Sequence, residues 1–172
     1  MDEDKAVHAT ALAISGIGIV IEGAPGSGKS RLAMALLERA SALADMRLLP
    51  ADAPINAPTR PPSRPAPDWS GLIGDDHVHL SVNAGVLVAA PAMDLRGAIE
   101  VRGLGIADVT WCEHHRVDLW VSLVPPGAWQ RVPEHASAEI AGATVPRLTL
   151  PIVDLAHQLL LIDLGLRCRL GS

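Results

Sequence analysis

The chain has 172 residues, enough for one domain that buries roughly 70% of the surface its unfolded form exposes, and too few for a second independent domain. A net charge of -5 and a pI near 5.7 provide no basic footprint for phosphate backbones or anionic membranes, so neither nucleic acid nor a membrane surface is the expected partner. Nearly half the residues are apolar, yet there is no Phe, no Tyr and only four Trp, so the core is expected to be aliphatic.

The two cysteines, Cys112 and Cys168, are too few for a disulfide framework, and a reducing cytoplasm fits them. The apolar stretch from Ala9 to Ala24 follows the acidic Met1-Asp2-Glu3-Asp4, is broken by Gly and Ser, and is too short to span a bilayer. Neither a signal peptide nor a transmembrane helix is expected.

Gly16 to Glu22 is short, β-branched and ends at glycine, which predicts a buried strand feeding a tight loop. From Ser30 to about Leu43, Leu32, Ala33, Leu36, Leu37 and Ala40 recur at helical spacing among strong helix formers, which predicts a helix. Seven prolines between Pro50 and Pro67 remove ladder donors and fix many φ angles, so this insertion, spanning about 50–70, is expected to be an exposed loop. Order resumes at Gly71-Leu72-Ile73-Gly74, an apolar step into Asp75-Asp76. The alternating His77 to Val82 then predicts a half-buried strand. Further strands are expected at Gly85 to Ala89, Ala98 to Val101 and Val117 to Val124, and a closing helix at Ile152 to Leu166. The expected fold is α/β, with β-rich mixed sheets and few helices.

Between the first strand and the first helix lies Gly23-Ala24-Pro25-Gly26-Ser27-Gly28-Lys29-Ser30, the spacing G-x-x-x-x-G-K-S. Glycines at these points let backbone N–H groups curl around phosphate oxygens without Cβ interference. Lys29 is then placed to neutralise β- and γ-phosphate charge, and Ser30 to offer a hydroxyl to Mg²⁺. The helix that begins there aims its partial positive end at the same anion. The strand before and the helix after are the context such a phosphate loop requires. Phosphoryl transfer also needs a carboxylate near the metal and a group that takes the nucleophile's proton; Asp75 and Asp76, after an apolar strand, are the candidates, against the plain alternative of an Asp-Asp turn. Cys112-Glu113-His114-His115 has zinc-ligand residue types but no second ligand pair, so a polar loop is the favoured reading there.

These blocks together resemble the HPr kinase/phosphorylases, bacterial enzymes that phosphorylate a serine of the phosphocarrier protein HPr. The resemblance is carried by His8-Ala9-Thr10-Ala11, the loop Gly23 to Ser30, Leu72-Ile73-Gly74-Asp75-Asp76 and Ala98-Ile99-Glu100-Val101-Arg102-Gly103-Leu104-Gly105-Ile106, and more faintly by Arg131-Val132-Pro133-Glu134. It is similar to a short form without an N-terminal regulatory domain, and implies that residues 1–172 form a single catalytic domain of the kinase fold shared with phosphoenolpyruvate carboxykinase. The implied catalytic residues are His8, Lys29, Asp75, Asp76 and Arg131, with the proton acceptor being one of the two aspartates. Ser30 and Glu100 are the implied Mg²⁺ ligands, and the loop together with Arg102, Gly103 and Gly105 is implied to bind ATP. The resemblance further implies a cytoplasmic protein acting on HPr and assembling as a hexamer. One departure stands out: where the family has a basic Pro-Gly segment tied to dephosphorylation, this chain reads Leu150-Pro151-Ile152-Val153-Asp154-Leu155-Ala156-His157. The alternatives left open are a kinase for another protein or small-molecule hydroxyl, and a nucleotide-sensing module that transfers no phosphate.

Overall fold

The computed structural model describes residues 5–50, 62–130 and 137–169. It is an α/β structure in which strands far outnumber helices. The strands are β1 (Lys5–Val7), β2 (Ala9–Ile14), β3 (Ile17–Gly23), β4 (Arg47–Leu48), β5 (Gly71–Gly74), β6 (Val78–Asn83), β7 (Val86–Pro91), β8 (Ala98–Val101), β9 (Gly105–Asp108), β10 (His115–Arg116), β11 (Leu119–Val124), β12 (Ser137–Ile140) and β13 (Ala143–Pro151). The helices are α1 (Lys29–Arg39) and α2 (Leu155–Arg169). Neither is long and apolar enough to cross a membrane.

The central sheet has six strands in the order β12-β13-β11-β3-β2-β5. It is mixed: β11 runs parallel to both β3 and β13, while β2 runs antiparallel to β3 and β5. Strands β1, β6, β7 and β10 form a second, antiparallel sheet, and β4, β9 and β8 a third.

Period-two alternation sorts the central strands onto two faces. On one, Leu12, Ile19, Ile21, Leu119 and Val121 pack with Leu32, Leu36 and Leu37 of α1 and with Ile162 of α2. On the other, Ala9, Ala11, Ala13, Val20 and Trp120 pack with Val78, Leu80, Leu87 and Ala89 of the second sheet. The small alanines of β2 let that sheet approach closely. The core is aliphatic, as composition implied, with Trp111 as its largest fully buried side chain.

Helix α1 stops at Arg39, short of the predicted Leu43. Ser41 takes a left-handed φ of 56°, the Ser41 N–H donates to Glu38 O, and the Ala42 N–H donates to Leu37 O, each at 2.9 Å. This is the paired-bond helix stop usually built on glycine. Leu43 keeps its core position beyond the turn. The strand predicted from Val117 begins two residues later, and the closing helix begins at Leu155 rather than Ile152. Of the Pro-rich insertion, residues 51–61 lie outside the described part. Its end packs on the β2–β3 hairpin, where the Gly16 N–H donates to Trp69 O at 2.8 Å. The segment read as a polar loop is partly core: Cys112 is buried, and His115 lies in β10, paired with Ala89.

Leu37 is fully buried between α1 and the central sheet. Leu37→Ala is expected to lower unfolding free energy by about 2–5 kcal/mol, read as a fall in the urea midpoint at unchanged slope.

Candidate active site at the carboxyl edge of the central sheet

Strand β3 delivers its end at Gly23, and the chain turns through the glycine-rich loop into α1. A Cβ on Gly23 would lie 2.6 Å from Ser27 Oγ and 3.0 Å from Leu123 Cβ, so only glycine fits there without displacing its neighbours. Gly26 and Gly28 take positive φ values of 75° and 96°, the latter as the N-cap of α1. The Lys29 ammonium is folded back, donating to the carbonyls of Gly23 at 3.2 Å and Ala24 at 3.5 Å. Burial pulls its pKa below the ordinary 10.5, partly offset by the nearby carboxylates of Asp75 and Asp76. Ser27 Oγ is buried in the loop without a hydrogen-bond partner among the described residues. A buried hydroxyl beside a curled, glycine-lined backbone fits an anion that would accept its hydrogen bond.

Asp75 follows β5, and a register shift between Ala11 and Leu12 bends the β2–β5 pairing just before it. Such bulges re-aim the residues that follow. Asp75 is buried, and its Oδ1 accepts from Thr10 Oγ at 2.6 Å and from Ser30 Oγ at 2.9 Å. Asp76 takes a φ of 65° and points elsewhere, which Asp tolerates better than most residues. It stays exposed, with one oxygen 3.0 Å from His8 Nδ1 and the other 3.0 Å from His77 Nδ1. The two imidazoles stand edge to face, 6.1 Å apart.

Of the sequence-predicted residues, His8 thus meets Asp76 and Ser30 meets Asp75 directly, while Lys29 starts α1 beside Ser30 and feels the charge of both carboxylates. Glu100 does not join them: it is exposed on β8, opposite Ile106, with no hydrogen bond or ion pair among the described residues. Arg102 and Gly103 lie in the β8–β9 hairpin turn, closed by the Leu104 N–H donating to Val101 O at 2.9 Å, and Gly105 opens β9, with both glycines at positive φ. Arg131 lies outside the described residues. Two members escaped the sequence reading. Thr10 could have been found as the lone hydroxyl in an otherwise apolar strand, whereas nothing local marks His77.

Cys112, the thiol of the cysteine–histidine segment, donates to His114 O at 3.5 Å, and burial pushes its pKa up to about 12, with Glu113 adding to the rise. That environment disfavours the thiolate that metal binding requires. The described residues hold no group of three or more His, Cys, Asp or Glu arranged to take a metal. Two surface hollows of about 440 and 540 Å³ open near Trp69 and near His114, away from the loop.

No family model matches the chain. It is similar to curated proteins named HPr kinase/phosphorylase: 29% identical over 181 aligned positions to that of Aromatoleum aromaticum, covering 97% of this chain and 48% of the relative. A 26% identity over 178 positions to that of Azoarcus covers 96% and 48%. A 31% identity over 104 positions to that of Clostridium botulinum covers 60% and 25%. The chain spans about half the length, or less, of these relatives. Among solved structures it matches the HPr(Ser) kinase/phosphatase of Coxiella burnetii with a TM-score of 0.70 and 24% identity, over 98% of this chain and 99% of that one. The family resemblance read from the sequence is therefore met by relatives along most of the chain and by a shared fold.

Because the folded protein holds Lys29 below its ordinary pKa, the unfolded chain binds the extra proton between that lowered value and 10.5. Stability contributed at this position therefore rises with pH across that window. Ligand-free wild type is expected to gain stability relative to Lys29→Met as pH climbs toward 10.5. Urea unfolding of both proteins at successive pH values checks this rise, and a difference that stays flat or falls with pH contradicts it.

Proposed function

We propose that this chain is the catalytic domain of an ATP- and Mg²⁺-dependent protein-serine kinase whose substrate is the phosphocarrier HPr. The observation that carries this reading is the bond from Ser30 to Asp75. It joins the end of the phosphate loop to the double aspartate, as a phosphoryl-transfer site requires and a bare nucleotide-binding turn does not. Relatives named HPr kinase/phosphorylase along most of the chain support the substrate assignment. In this reading residues 1–172 act as one domain, akin to the kinase fold of phosphoenolpyruvate carboxykinase, in a cytoplasmic protein that self-associates as a hexamer.

ATP lays its phosphates along Gly23 to Ser30. Lys29 exchanges its carbonyl partners for β- and γ-phosphate oxygens, a short swing because the ammonium already sits inside the loop. Ser30 and Glu100 are the residues that would hold Mg²⁺, a hard cation suited to hydroxyl and carboxylate oxygens, which supplies charge neutralisation on the phosphates. Glu100 would come to the metal only with its hairpin, with Arg102, Gly103 and Gly105, folded over the nucleotide, a closure that would also shed water.

The different burial of the two aspartates supports different tasks for them. Asp75 is buried and engaged by two hydroxyls, so its task is to hold Ser30. Asp76 is exposed and reachable by a protein side chain, and His8 fixes one of its oxygens. Asp76 accepts the proton as the serine oxygen forms its bond to the γ-phosphorus and the bond to ADP breaks. Arg131 keeps its assignment as the match to a later catalytic arginine of the family. Run backward, inorganic phosphate takes the phosphoryl group from phosphoserine and yields pyrophosphate.

Incubation with HPr, ATP and Mg²⁺ should produce phosphoserine, and phosphoserine-HPr with inorganic phosphate tests the reverse direction. Normal ATP binding with unmodified HPr would instead favour a nucleotide sensor, or a kinase for another hydroxyl. Lys29→Ala is expected to cut kcat/KM at least roughly 100-fold, about 2.7 kcal/mol of transition-state stabilisation. Asp76→Asn should lower kcat by roughly 10²–10⁴ while ATP affinity persists, whereas Asp75→Asn should weaken Mg²⁺-ATP binding itself. The reverse pattern would exchange their roles.

A further inference from the structure

The phosphate loop separates two unlike neighbourhoods along the carboxyl edge of the central sheet. Toward β2 and β5 stand His8, Thr10, Asp75 and Asp76. In the other direction, beyond the ends of β11 and β13, stand Trp129 and His157. This asymmetry orients a bound triphosphate: its reacting end belongs with the carboxylates, so its nucleoside end leads across β11 and β13. Ligands of open α/β sheets lie outside the carboxyl ends of such strands.

We propose that Trp129 and His157 form the shelf on which the nucleotide's purine base stacks. The inference rests on the nucleotide reading of the loop and adds the part of the ligand that no residue so far accounts for. Trp129 is 39% exposed, whereas Trp111 and Trp120 are 1% and 3% exposed, so its indole is not spent on the core. Yet it is held in place. Its Nε1–H donates to Thr149 O on β13 at 3.2 Å, and the ring meets His157 edge to face at 6.2 Å and 89°.

His157 is in turn fixed on the first turn of α2, where its backbone N–H donates to Asp154 Oδ1 at 2.9 Å. Arg31, one residue past Ser30, reaches the segment that leads into α2 and His157: its guanidinium donates to Val153 O at 3.5 Å. An anchored, partly exposed indole offers the flat π-surface that any base can stack on, with little side-chain entropy left to lose.

The test compares ATP with inorganic tripolyphosphate, which carries the phosphates and no base, on the full chain by titration calorimetry and tryptophan emission. ATP is expected to quench Trp129 emission and tripolyphosphate to leave it. Trp129→Leu should bind ATP at least about fivefold more weakly while its tripolyphosphate affinity stays at the wild-type value; Trp129→Phe, which keeps a π-face, should recover most of the loss. Unchanged ATP affinity in Trp129→Leu overturns the proposal, as does an equal loss of ATP and tripolyphosphate, since neither singles out the base. Failure of wild type to bind either compound is a different result and overturns the nucleotide reading of the loop itself.

Discussion

One buried carboxylate ties the candidate site to the fold. Asp75 accepts hydroxyl hydrogen bonds from Thr10 on β2 and Ser30 on α1, partners 65 and 45 residues away. A carboxylate withdrawn from water is tolerated only when its oxygens are satisfied, and truncating a partner leaves the charge exposed to the full desolvation penalty. Holding both partners requires β2, β5 and the start of α1 to keep their relative positions. The central sheet provides that by inserting β2 between β3 and β5. The shifted register on β5 then brings the carboxylate to the hydroxyls.

The mixed sheet also explains why the candidate residues gather at one edge. Parallel strands β3, β11 and β13 all deliver their carboxyl ends there, releasing the glycine-rich loop, the segment leading to Trp129 and the segment leading to α2. Antiparallel β2 begins at the same edge, which is how His8, near the start of the described chain, comes to face Asp76. The left-handed residue Asp76 then turns the chain from the central sheet into the second one, so its carboxylate stands at the corner between the two layers. Its exposure follows from that corner, just as the burial of Asp75 follows from lying one residue earlier.

A bracing network stands on the opposite side of β3. Ser122 Oγ donates to Glu22 Oε1 at 2.5 Å and accepts from Arg147 Nε at 2.9 Å, linking β3, β11 and β13 one residue before the loop begins. Side-chain bonds across three adjacent strands limit how far the end of β3 can move. The loop is thus held from both sides, by hydroxyl–carboxylate bonds toward β5 and by this network toward β13.

Local sequence determined the strand–loop–helix unit, because the glycine spacing of Gly23 to Ser30 and the apolar periods on either side are properties of neighbouring residues. The helix end was misplaced because Ser41 occupies a backbone region normally left to glycine. β2 was not legible as a strand because it is buried on both faces and rich in alanine, which erases alternation. β13 was hidden by Pro146 and Pro151, which the strand accommodates. Which aspartate holds Ser30 and which faces outward was undecidable from adjacent identical residues. Only tertiary structure separated them, since their surroundings depend on Thr10, Ser30 and His8, dozens of residues away, and on a single left-handed φ that leaves one buried and the other toward solvent.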